Sequence, residues 1–142
     1  MEAGSEHIAE LLDQEVWAVV GASRDPERFG YKIFTALRRF GYRVYPVTPS
    51  AAEIDGERAY PDLASLPEVP DVVDTVVPPK VTARIVGEAA ALGLKRLWLQ
   101  PGSESAEAIA DAEARGLRVV HHACAMALGQ AGPASRRKTT GG

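Results

Sequence analysis

Residues 16–30, VWAVVGASRDPERFG, run from an apolar, β-branched stretch into a glycine, two small residues, an Asp-Pro turn signal and two arginines, and an amphipathic helix follows. A buried strand that breaks at a glycine into a helix start leaves amides exposed at the break, the usual way an α/β protein holds a phosphate. The stretch predicts a nucleotide-like ligand. It misses the dinucleotide fingerprint, because Ala22 and Ser23 follow Gly21 and the next glycine is Gly30, so no G-x-G-x-x-G can be written. The ligand it favours is not NAD.

The 142 residues fit one domain, expected over 1–128, which at this size buries about two-thirds of its unfolded surface without disulfides or metal. Residues 129–142 are rich in Gly, Ser and Thr, hold Arg136, Arg137 and Lys138 with no acid, and read as a disordered basic tail. Since the whole chain carries a net charge of -3, the body is more acidic still, which argues against the broad basic face that nucleic acids need. The longest apolar runs, 16–20 and 72–77, fall far short of the ~20 residues that span a bilayer, so no membrane partner is expected. No basic-then-apolar leader follows Met1, and a lone Cys124 cannot form an internal disulfide, which makes the cytoplasm the expected address. Asn is absent and most basic residues are Arg, a pattern that thermal selection and a GC-rich genome produce equally well.

Strand and helix signals alternate along the chain. Residues 5–14 predict a short helix with Ser5 as a cap, 16–20 a strand, and 31–40 a helix with Ile33, Phe34, Leu37 and Phe40 on one face. A second strand at 43–47 carries Pro46 near its end, and the proline-rich connection 48–70 holds a turn at Asp55-Gly56 and short helical potential at 62–66. Residues 72–77 predict a third strand, 81–92 a helix, 94–100 a fourth strand, 103–115 a helix capped by Ser103, and 117–121 a fifth strand. This alternation is the pattern of an α/β, Rossmann-like, doubly wound and mostly parallel five-stranded sheet with helices on both faces. Right-handed crossovers then bring the carboxyl ends of the strands to one crevice.

A NAD-binding domain needs a carboxylate after the second strand for the ribose 2′-hydroxyl, whereas this chain offers Thr48, Pro49 and Ser50 and no acid until Glu53. Arg24, Arg28 and Lys32 around the first turn can pair with phosphates, or can be solvated loop charges; Gly21 can admit a ligand closely or serve packing. Tyr31 and Phe29 at the crevice rim are candidates to touch a base. Trp17 and Trp98 lie where core aromatics lie, and Tyr60 is expected to pack the long connection onto the sheet.

The motifs GAS-x-x-P-x-x-x-G-Y at 21–31, Y-x-V-x-P-V at 42–47, IDG-x-x-x-YPDL-x-x-LPE at 54–68, DVVD at 71–74 and LWLQ-x-G at 97–102, kept in order from about Val16 to Met126, resemble the small CoA-binding-domain proteins. These are stand-alone relatives of the N-terminal domain of the succinyl-CoA synthetase α subunit. The resemblance implies coenzyme A, or an acyl-CoA, across the strand ends. Gly21, Ala22, Ser23 and Gly30 would approach a phosphate beside Arg24, Arg28 and Tyr31; Pro49 and Ser50 would border the adenosine and its 3′-phosphate. Val77, Pro78 and Pro79 would contact nucleotide and pantetheine, and Gln100, Pro101 and Gly102 would lie toward the reactive arm. Relatives often carry a lysine where Ser50 stands and an aromatic-arginine pair after DVVD, where this chain has Thr75, Val76 and Val77. Arg24 or Arg28 is the candidate to replace the missing lysine.

No complete catalytic constellation is visible, and the phosphorylated histidine and nucleotide machinery of the synthetase lie in other domains. The expected role is therefore carrier, sensor or partner of a larger acyl-CoA-using enzyme, with an NADP-dependent oxidoreductase or a CoA-linked thiol switch through Cys124 as alternatives. His121 and His122, as neighbours on a strand, should point to opposite faces, leaving too few ligands for a closed metal site.

Overall fold

In the computed structural model, residues 7–128 are described. They form α1 (Ile8–Leu12), β1 (Val16–Val20), α2 (Phe29–Arg39), β2 (Arg43–Val47), β3 (Glu53–Ile54), β4 (Glu57–Arg58), β5 (Val72–Thr75), α3 (Pro79–Ala91), β6 (Arg96–Leu99), α4 (Ala106–Ala114), β7 (Arg118–Val120) and α5 (Ala125–Leu128). Five strands make one sheet in the order β2-β1-β5-β6-β7, and every pairing in it is parallel. The fold is α/β and Rossmann-like, with the strand order reversing between β1 and β5.

A parallel sheet is covered on both faces, so its strands must be apolar on both. All five residues of β1 are buried. Trp17 and Val19 share a core with Leu11 of α1, Ile33 and Phe34 of α2, and Ala125 of α5. Ala18 and Val20 join the opposite core with Ile85 and Val86 of α3 and Ala108 and Ala112 of α4. Trp17 and Trp98 are fully buried, as expected, with ring centroids 5.8 Å apart. Their indole N–H groups donate to the carbonyls of Gln14 and Ala123 respectively.

The long connection after β2 is pinned as the sequence predicts. The Tyr60 N–H donates to the Pro46 carbonyl (3.0 Å), the Thr48 N–H donates to the Tyr60 carbonyl (2.8 Å), and the Tyr60 ring meets Tyr45 edge-on. Asp55 and Gly56 turn the β3–β4 hairpin with φ of 52° and 83°, and Ile54 drives it into the core at 0 % exposure. The expected helical potential at 62–66 becomes a 3-10 turn at Leu63–Ser65, where Asp62 accepts from the Ser65 N–H.

Several boundaries differ from expectation. Ser105, not Ser103, caps α4 by accepting from the Ala108 N–H at 3.0 Å. The Ser103 hydroxyl is already committed, accepting from the Val77 N–H at 2.9 Å. β5 ends at Thr75 rather than Val77, and α5 is an element the sequence pattern does not announce. The Ser5 cap and the 129–142 tail lie outside the described residues.

Gly21 has φ +97°, and a Cβ there would stand 2.3 Å from the Val76 carbonyl oxygen; a Cβ at Gly30 would stand 2.1 Å from the Gly21 carbonyl oxygen. Both clashes are with backbone, which cannot rotate away. Gly30→Ala is expected to cost about 2 kcal/mol, lowering Tm by about 6 °C. Gly87→Ala, mid-helix with open space around it, should raise stability by about 0.5–1 kcal/mol. Thermal unfolding of the two variants checks the contrast, and similar Tm values would contradict it.

Candidate functional site

The sheet ends in turns along one edge: Gly21 after β1, Thr48-Pro49-Ser50 after β2, Val76-Val77 after β5 and Gln100-Pro101-Gly102 after β6. In a doubly wound sheet the crevice outside these carboxyl ends, at the point where strand order reverses, is where ligands bind. A cleft of about 410 Å³ opens there. Val20, Gly21, Val47, Thr48 and Pro49 line it from the ends of β1 and β2, Pro61 and Leu63 from the long connection, Val77 from the turn after β5, and Val81 and Ile85 from α3. Three charged residues complete the lining: Asp62, Arg84 and Glu88. Its floor is apolar and its rim is charged.

From Gly21, which lines the cleft, the chain runs through Ala22 into α2. Ser23 accepts from the Asp25 N–H and Asp25 from the Glu27 N–H, each at 3.0 Å, and this pair of turns delivers Arg28 as the residue preceding the helix. The first turn of α2 contains no acid and no side chain caps it; the Tyr31 N–H donates to the Arg28 carbonyl at 3.1 Å, so the positive dipole end at Phe29 and Gly30 is left for an anion. Arg24 and Arg28 are exposed, with Arg28 beside Asp25 at 3.7 Å.

Of the residues singled out from sequence, Gly21, Pro49 and Val77 meet in this cleft. Ser50 lies at its edge, with its hydroxyl 2.9 Å from that of Thr48. Tyr31 does not line it; that side chain borders a separate groove with Thr35, Arg38, Arg39 and Asp55. The strand-end reading does not reach Val81, Arg84 and Glu88, although 81, 84, 85 and 88 follow i, i+3, i+4, i+7, the spacing of one helix face. Pro78, Pro79, Pro101 and Gly102 are exposed at the turns.

Residues 15–130 match a family described as CoA binding domain. The chain belongs to that family. It is 32% identical over 116 residues to the ADP-forming acetate–CoA ligase II of Archaeoglobus fulgidus, covering 79% of this chain and 17% of that protein. This chain spans less than a fifth of the length of the first curated relatives it matches. Among solved structures, a conserved hypothetical protein from Pyrococcus furiosus is similar at 38% identity and a TM-score of 0.77, over 80% of this chain and 98% of that one. A Thermus thermophilus protein is similar at 34% identity and a TM-score of 0.79, over 89% and 96%.

Beneath the strand ends of this CoA binding domain lies a buried acid. Asp74, in the central strand β5, is 0 % exposed; its Oδ1 accepts from Gln100 Nε2 at 2.7 Å, and its Oδ2 has no partner among the described residues. Burial pushes its pKa well above the ordinary carboxylate value, and the Gln100 hydrogen bond only partly opposes this. The other end of the Gln100 amide accepts from the Ala125 N–H at 3.2 Å, at the start of α5. The Gln100 side chain is thus turned inward and engaged at both ends, leaving the 100–102 turn to face the crevice mainly with backbone.

His121 and His122 do not diverge. β7 stops at Val120 and His122 has φ +59°, so the chain turns and the two rings meet edge to face with centroids 4.7 Å apart. Cys124 is free and half-buried. Among the described residues no group of three or more His, Cys, Asp or Glu side chains is arranged to hold a metal, and no helix is long and apolar enough to cross a membrane.

A protonated Asp74 favours the folded state at low pH. Its contribution is fully present below the unfolded pKa, about 4, and is lost as pH rises toward the raised folded value. Asp74→Asn, which copies the neutral acid, should therefore be more stable than the parent at pH 8, by about 3 °C in Tm for each 1 kcal/mol relieved. The gap should close near pH 4. Melting curves from pH 4 to 8 measure it, and a gap independent of pH would refute a titrating Asp74.

Proposed function

We propose that this domain binds coenzyme A or an acyl-CoA across the carboxyl ends of its parallel strands, without complete catalytic machinery, as carrier, sensor or partner of a larger acyl-CoA-using enzyme. The observation that carries the reading is the apolar cleft at the reversal of strand order, lying beside an uncapped helix start and bordered by a β2 turn free of acid. An acid at that turn would repel a phosphorylated ribose; here it does not arise until Glu53. In this reading Gly21, Ala22 and Ser23, with the first turn of α2 from Gly30, take the diphosphate, and Arg24 and Arg28 supply counter-charge. Pro49, Ser50 and Val77 border the adenosine, Pro78 and Pro79 guide the pantetheine, and Gln100-Pro101-Gly102 faces the reactive arm.

Support for the ligand comes from the family and from relatives that are named acetate–CoA ligases. Support for a larger enzyme partner comes from the length of those relatives, in which a domain like this occupies under a fifth of the chain.

Titration calorimetry with coenzyme A, acetyl-CoA and NADP should give saturable heat with the first two. A ligand at a hundred times its Kd stabilises the fold by about 2.7 kcal/mol, so a rise in Tm accompanies it. No heat with coenzyme A at millimolar concentration would sink the proposal. NADP displacing coenzyme A in the same assay would replace it with an oxidoreductase reading.

A further inference from the structure

We infer that Arg84 is the residue through which this site selects a ligand with a phosphate on its ribose 3′-oxygen over the same ligand without it, and that Glu88 is the counter-ion Arg84 leaves on binding. The inference rests on the coenzyme A reading above and assigns one subsite of it.

Among the residues lining the cleft, Arg84 is the one that carries positive charge; Asp62 and Glu88 are acids. Without Arg84 the rim would be purely anionic and would repel a dianion. The β2 turn that borders the cleft supplies no cation, since Ser50 stands there with its hydroxyl turned to Thr48. Val77, on the opposite side, is apolar. Arg24 and Arg28 do not line the cleft, and Arg28 sits beside Asp25.

Arg84 is also free to change partners. Its Nε lies 3.5 Å from Glu88 Oε2, one helical turn away, with 69% of the arginine side chain exposed. Exposed pairs of this kind are weak and readily exchanged, whereas a guanidinium meets a phosphate through two parallel N–H bonds. Asp62 is held differently, its Oδ1 accepting from the Ser65 N–H at 2.9 Å, so it stays at the rim as fixed negative charge. A ligand that brings a phosphate draws Arg84 from Glu88; one that brings a bare hydroxyl leaves the pair intact.

The two residues should therefore act with opposite sign. Arg84→Gln is expected to weaken coenzyme A by about tenfold, the worth of one charge-assisted contact, while dephospho-coenzyme A changes by less than about twofold. Glu88→Gln should tighten coenzyme A by about threefold, by freeing the arginine and removing a like charge. Arg84→Lys, which keeps the charge but not the fork, should recover part of the loss. Both positions are on the surface of α3, and unchanged melting curves would show that the variants fold. Equal losses of both ligands in Arg84→Gln, no loss of either, or a selective loss in Arg24→Ala/Arg28→Ala instead would overturn the assignment. If the parent protein binds coenzyme A and dephospho-coenzyme A equally well, the Arg84 assignment falls and the coenzyme reading stands. If it binds neither, the coenzyme reading itself falls.

Discussion

Two missing side chains hold the carboxyl edge of the sheet together. Because Gly30 has no Cβ, the Gly21 carbonyl reaches into the first turn of α2, and because Gly21 has none, the Val76 backbone closes over the end of β1. These contacts draw α2 and the β5 turn against the same residue, so the helix start, the β1 loop and the β5 turn converge. A motif that reads as a phosphate cradle is thus a packing device first. The two roles do not compete, since close packing is what brings the start of α2, with its positive dipole end, to the crevice at all. The absence of a G-x-G-x-x-G follows from this geometry: the second close approach falls nine residues after Gly21, at Gly30, where the helix has already begun.

What was legible in the sequence was what local signals determine. β1 and β2 fall where apolar runs end in Gly or Pro punctuation, and the Asp55-Gly56 turn lies where a left-handed pair is needed. What was not legible depends on partners far along the chain. Ser103 and Ser105 are both competent caps, and the choice between them is made by the Val77 N–H, 26 residues away, which occupies Ser103. The divergence expected of His121 and His122 assumed extended backbone, and a left-handed His122 removes that premise. The α3 wall of the cleft was within reach, because its spacing is helical, but attention to the strand ends alone passes over it. A crevice in an α/β sheet has a side wall as well as an edge, and here the side wall carries the charge.

The two acids of the DVVD segment do different work. Asp71, at the amino end of the sheet, accepts from the Val16 N–H at 3.0 Å and ties the start of β5 to the start of β1. Asp74 is sealed in the core, where ionisation is penalised and one oxygen is unpartnered. A leucine there would spare that penalty but could not hold Gln100. With Asp74 accepting from its Nε2, the Gln100 amide has one orientation, and its oxygen is turned to the Ala125 N–H. Trp98 anchors the same segment two residues earlier, donating to the Ala123 carbonyl at 2.8 Å. Cys124 therefore sits between two residues fastened to β6 and its end, and its partial burial is set by the core rather than by a loose loop. The buried acid costs stability near neutral pH, and what it secures is the docking of α5 against the face that also carries α2.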